Sequence, residues 1–324
     1  MRRREFISLL SAAAAGWSSR VRAQQLAIPV VGYLFLGSQR GYQPFKDAFL
    51  SGLASRGYIE GKNIRVLYRF ADGHQDRLMP LTTELVSLGA RVIVTTGTPS
   101  IQTAHKVAPS VPIVSLIGPD PVAMGWAKSL TKPGGMITGT FFSNQAPKRA
   151  ELLKELVPQA IRFGVLLDGN NPANPYLRKN AVDGARTIGL ELEFIELKEL
   201  SEFAAAFDRL RSLGVEGVVV GADPIFFSNP EPSAELALAH KLPSVGDDRS
   251  FAKAGGLCAH GADYLAITPR AARFIDEILK GAAPGDLAAE LSTDFQLTVN
   301  LKTARELGIT VPPTVLARAT EVIE

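Results

Sequence analysis

A chain of 324 residues, 46% hydrophobic and 21% charged, is long enough to bury a large core, and at this length two domains are the natural division. Its formal charge of +3 belongs to one end: Arg2, Arg3, Arg4, Arg20 and Arg22 stand there against Glu5 alone, and the rest of the chain has thirty basic and thirty-one acidic residues. That balance removes the basic pI as a sign of nucleic-acid binding, and a single cysteine, Cys258, excludes an internal disulfide.

The chain opens Met1-Arg2-Arg3-Arg4-Glu5-Phe6-Ile7, paired arginines ahead of an apolar run over residues 7–17 that contains no acid. This reads as a secretion signal over residues 1–23, with the Arg3-Arg4-x-Phe6-Ile7 order of a twin-arginine export signal and cleavage expected after Ala23. Eleven apolar residues fall short of the roughly 20 that span a bilayer. With no cysteine near the cleavage position to carry a lipid, a freely soluble, periplasmic product is expected.

Apolar strand-like runs then alternate with amphipathic stretches, the pattern of parallel sheets with helices on both faces. Strands are predicted at 29–36, 64–70, 92–95 and 113–117, and a second set at 163–167, 190–195, 217–220 and 243–245. Residues 87–99 (SLGARVIVTTGTP) align without a gap on 212–224 (SLGVEGVVVGADP). Each segment reads as a helix end, a glycine stop, a buried strand and a turn opening the next helix. After the second set come residues 246–264, a helical stretch ending near Lys280 and a last strand at about 295–299, too little for a third domain. The fold expected is therefore α/β: two doubly wound parallel-sheet lobes joined by a three-stranded hinge. Lobe 1 takes residues 24–142 plus 247–291 and lobe 2 takes 143–246 plus 292–324, with crossings near 141–144, 246–249 and 291–295.

Catalytic signatures are absent from the sequence. There is no glycine-rich dinucleotide fingerprint after the first strand, no phosphate loop, no Gly-x-Ser-x-Gly elbow and no paired-histidine zinc spacing among His74, His105, His240 and His260. No catalytic residue, metal ligand or cofactor is assigned, and the chain is read as a non-enzyme. Asp247-Asp248 falls at an expected crossing and serves a hinge or a ligand contact equally well.

In open parallel sheets ligands bind beyond the carboxyl ends of the strands. The loops concerned are 37–42 with Gly37 and Ser38, 96–100, 118–122 with Asp120, 168–176 and 221–227. Thr96, Gly97, Thr98 and Ser100 offer hydroxyls and backbone N–H groups at a helix start, a seat for a carboxylate. The equivalent turn of the second lobe carries Asp223, which attracts an ammonium group. Facing one another, the two turns suit a zwitterion such as an amino acid; ordinary helix capping by Thr98 and Asp223 accounts for the same residues without a ligand. Asn171 and Asn174, in Asn170-Asn171-Pro172-Ala173-Asn174-Pro175, either bond a ligand or form turns. Asp247 is a further candidate ligand contact. Apolar walls are drawn from Tyr33, Phe35, Trp126, Phe141, Phe142, Phe226, Phe227 and Tyr264, some of them core packing.

Several segments in one order carry a family resemblance: the start Met1 to Ile7, Tyr58-Ile59-Glu60-Gly61-Lys62-Asn63, Gly118-Pro119-Asp120-Pro121-Val122, Gly221-Ala222-Asp223-Pro224 and Leu307-Gly308-Ile309-Thr310-Val311-Pro312-Pro313. Together the chain resembles the ABC transporter substrate-binding family that includes tryptophan- and tyrosine-type binding proteins. The resemblance implies a type I periplasmic-binding fold that closes around a solute, with aromatic or hydrophobic amino acids or related carboxylates as ligands, and an ABC permease as partner. Segments 115–118 and 244–249 depart from the family's usual pattern. A monomer that delivers a small molecule to an importer is expected; the rival readings are a periplasmic sensor serving a receptor and an exported enzyme on the same architecture.

Overall fold

The run Val30–Phe35 is buried at every position, as expected of a strand in the interior of a parallel sheet covered on both faces. The computed structural model describes residues 28–324; the expected signal and its cleavage after Ala23 lie outside the described residues. Thirteen strands follow in chain order: β1 (Val30–Phe35), β2 (Arg65–Phe70), β3 (Ala90–Thr96), β4 (Ile113–Ile117), β5 (Ile137–Phe141), β6 (Arg162–Asp168), β7 (Glu191–Leu197), β8 (Val218–Val220), β9 (Ser244–Gly246), β10 (Cys258–Ala262), β11 (Glu290–Leu291), β12 (Phe295–Asn300) and β13 (Glu321–Ile323).

They form two sheets, ordered β11-β5-β4-β3-β1-β2 and β13-β12-β10-β9-β8-β6-β7. Every pairing is parallel except β10 with β12. Each sheet is covered on both faces by helices, which gives two apolar clusters per lobe. The order β5-β4-β3-β1-β2 in one sheet repeats as β10-β9-β8-β6-β7 in the other. The aligned sequence segments therefore occupy equivalent places, one ending in β3 and the other in β8, each after a helix stopped by a glycine of positive φ, Gly89 and Gly214.

The chain passes between sheets three times: after β5, after β10 and after β11. The crossing segments bond to one another, Ser292 N–H to the Phe141 carbonyl at 2.8 Å and Asp263 N–H to the Asp294 carbonyl at 2.9 Å. Sheet pairing corrects the expected second crossing. Residues 247–262 stay with the second lobe, because β10 pairs with β9 and β12, and the chain returns to the first lobe only at Asp263.

The reason β10 and its counterpart β5 escape sequence reading is that both are built for close approach rather than for β-propensity. β10 reads Cys-Ala-His-Gly-Ala, and a Cβ on Gly261 would stand 2.0 Å from the Asp247 carbonyl oxygen. In β5, Gly139 has φ 125°, and a Cβ there would stand 2.2 Å from the Ser115 carbonyl oxygen.

Candidate ligand-binding cleft

The carboxyl ends of both sheets point at a single space between the lobes. The cavity there has a volume of about 130 Å³, on a measure by which one water needs about 10–15 Å³. It therefore has room for a small solute and not only for a few waters. Its walls are mainly apolar. Tyr33, Phe35, Tyr42 and Phe45 come from the first lobe, Phe142 from the first crossing, and Val165, Leu167, Phe194, Val219 and Phe227 from the second lobe.

The cleft is shut. Phe227, at the end of the short helix Pro224–Phe227, stands with its ring centroid 6.1 Å from that of Phe45 and 5.4 Å from that of Tyr264, both on the opposite lobe. The two aligned turns also meet, Pro224 Cγ lying 3.9 Å from the position a Cβ on Gly97 would take.

At the first-lobe turn, Gly97 precedes the helix Thr98–Val107, whose first turn has no capping side chain. Gly97 N–H is taken by the Ile117 carbonyl and Pro99 has none, which leaves Thr98 N–H, with Ser100 N–H behind it, for an anion at the wall formed by Thr96, Gly97, Thr98 and Pro99. Thr96 Oγ1 is engaged, donating to the Ile117 carbonyl at 3.1 Å. Ser100 lies one step deeper, fully buried, with no hydrogen-bond partner for its hydroxyl and outside the cavity lining.

Asp223 does not cap the helix it precedes. Its carboxyl turns inward, accepting from Asp168 N–H at 3.1 Å and from Asn171 Nδ2 at 2.5 Å. Burial, and then the charge of Asp168, push its pKa up to about 7. Asp168 is itself raised, chiefly by burial. A third polar group sits beside the hinge: Arg149 Nη1 pairs with Asp247 Oδ1 at 2.7 Å and donates to the His260 carbonyl at 3.2 Å. Tyr264 OH, from the other lobe, donates to Asp247 Oδ2. Burial raises Asp247, opposed by Arg149, while burial and Arg149 lower His260 to about 4, so the imidazole is neutral.

Of the residues singled out from sequence, Thr96, Gly97, Thr98, Asn171, Asp223 and Tyr264 line this cavity, while Gly37, Ser38, Ser100, Asp120, Asn174, Phe226 and Asp247 do not. Ser38 caps the helix Gln39–Ser55 by accepting from Gly41 N–H, and Gly37 lies against the Phe35 ring. Asp120 closes its own turn through Val122 and Ala123 N–H. Asn174 Nδ2 donates to the Asp168 carbonyl, and Phe226 is core, its ring 5.6 Å from Phe203. Asp247 acts at one remove, through Arg149 and Tyr264. Among the proposed walls, Trp126 and Phe141 belong to the first-lobe core. Arg149 was not foreseen: in the helix Ala146–Leu156 it reads as one more surface charge, yet it is 2% exposed.

The family model described as "ABC transporter substrate binding protein" matches residues 38–323. The chain belongs to this family. The substrate-binding protein is 26% identical over 264 residues to the tyrosine-binding protein of Clostridioides difficile, covering 82% of this chain and 76% of the relative. It superposes with a TM-score of 0.85 and 25% identity on an ABC domain from Streptococcus pneumoniae in complex with L-Trp, covering 92% of this chain and 100% of that one. A conserved domain protein from Vibrio cholerae gives 0.85 and 26%, over 91% and 99%. The fold of this substrate-binding protein is the type I periplasmic-binding fold. Among the described residues no helix is long and apolar enough to cross a membrane, and no three His, Cys, Asp or Glu side chains group to hold a metal ion.

Proposed function

We propose that this substrate-binding protein is the exported, periplasmic component of an ABC importer, and that it captures an amino acid in the cavity and presents it to a membrane permease as a monomer. The α-carboxylate sits at the start of the helix Thr98–Val107, and the ammonium faces Asp223. The observation that carries this reading is the pairing of an uncapped helix start on one lobe with a buried carboxyl on the other, across one shared cavity. The tyrosine- and tryptophan-binding relatives support the ligand class, and the arginine-led start supports export.

A thermal-shift screen of the twenty L-amino acids, with sugars and nucleosides as comparators, tests it. A true ligand at 100 times its Kd adds about 2.7 kcal/mol of stability, a plain rise in Tm. A screen in which only a sugar or nucleoside stabilises the protein removes the amino-acid reading.

Closure needs contacts on both lobes that exist only when the cleft is shut. Phe227, against Phe45 and Tyr264, makes such contacts. Phe227→Ala is expected to weaken binding about tenfold, mainly through faster release, and to leave the ligand-free Tm nearly unchanged. Stopped-flow dissociation checks this; an unaltered off-rate would mean that Phe227 does not hold the closed form.

A further inference from the structure

Arg149 carries more hydrogen-bonding capacity than the protein uses. Among the described residues its partners are Asp247 and the His260 carbonyl, and both bonds are made by Nη1. Nε is buried with no partner, and Nη2 makes no hydrogen bond there either. The residue is 2% exposed and belongs to the cavity wall. A guanidinium presents its Nε–H and one Nη2–H as a parallel pair, shaped for an oxygen acceptor. Leaving the buried Nε–H unpaired is unfavourable, so this edge of the guanidinium is suited to an acceptor that arrives with the ligand.

We propose that the solute ends in an oxygen acceptor, a side-chain carboxylate or amide carbonyl, which docks on the Nε–Nη2 edge of Arg149. The proposal rests on the amino-acid reading of the cavity and adds the class of side chain. The α-carboxylate and ammonium are already matched by the Thr98 helix start and Asp223, so a third polar anchor calls for a third polar group on the ligand. Because Asp247 already balances the arginine charge, a neutral carbonyl suits the edge as well as an anion does. The apolar walls enclose the methylene or ring portion between the two ends.

Calorimetry with L-glutamate, L-glutamine and L-methionine, solutes of similar length, provides the test. Glutamate, glutamine or both are expected to bind at least about tenfold more tightly than methionine, and which of the two is tighter identifies the carboxylate or the carbonyl. Arg149→Lys, which keeps a cation beside Asp247 but loses the fork, is expected to reduce that preference to about threefold or less, with glutamate and glutamine losing more affinity than methionine. Because the preference is a ratio measured on wild-type protein, the test survives even if the variant folds poorly. Equal binding of all three solutes, or an equal loss for all three in the variant, overturns the proposal while leaving the amino-acid reading intact. Failure of every L-amino acid to bind the wild-type protein overturns both.

Discussion

Asp223→Asn is expected to weaken amino-acid binding about a hundredfold or more, since it removes the buried charge proposed to face the ligand's ammonium group. The same carboxyl makes binding depend on pH. An ammonium group is bound by the carboxylate, and in the free protein that group titrates at about 7. Below pH 7 the protein must first release a proton, so affinity falls up to tenfold per unit, about tenfold between pH 8 and pH 6. Calorimetry at those two pH values, in buffers of different ionisation heat, should register one proton released per ligand at the lower pH. The variant should show neither the pH dependence nor the proton release. A variant that keeps both would mean that the ammonium is seated elsewhere.

The stability of the ligand-free protein moves the other way. A carboxyl whose pKa is raised in the folded state contributes stability that is fully present below the unfolded value near 4 and is lost as pH rises through about 7. The shift corresponds to roughly 4 kcal/mol at pH 8. Asp223→Asn, whose amide nitrogen meets one of the two donors that the carboxyl accepts from, is therefore expected to gain stability relative to the natural chain as pH rises from 4 to 8, while binding ligand poorly. Such a trade of stability for function is usual for a charge kept in a binding site.

Gly261→Ala is the second large effect. A methyl group there would stand 2.0 Å from the Asp247 carbonyl oxygen and 2.6 Å from Asp247 Oδ1, so the backbone after β9 must shift. A loss of about 3 kcal/mol is expected, lowering Tm by roughly 5 °C. Because Asp247 holds Arg149 and Tyr264, ligand binding should weaken as well. Gly139→Ala, its counterpart in β5, meets the Ser115 backbone at 2.2 Å and should cost at least as much stability without touching the Asp247 pair. Thermal melts and calorimetry on both variants separate the two effects; a Gly261→Ala protein with unchanged Tm would contradict the close packing of β10.

The comparison of these two glycines shows how much of the fold was legible. Strands such as Val30–Phe35 and Ile113–Ile117 announce themselves because burial on both faces demands an unbroken apolar run. β5 and β10 do not, because their task is to let a neighbouring backbone come close. Small residues meet that need and carry no propensity signal. The misplaced second crossing follows from that one omission, since without β10 nothing keeps residues 247–262 in the second lobe.

The sequence alone determined the alternation of strands and helices, the duplicated segment that ends in β3 and β8, and the opposite chemistry of the two turns, for these are local properties of a few consecutive residues. Only the tertiary structure decided what the polar groups are worth. Asp223 has a raised pKa because folding buries it and brings Asp168, 55 positions earlier, beside it. Arg149 becomes a cavity residue because the first turn of its helix is packed against Asp247, 98 positions later. Burial and long-range charge depend on distances between segments far apart in the chain, and no pattern of neighbouring residues encodes those distances.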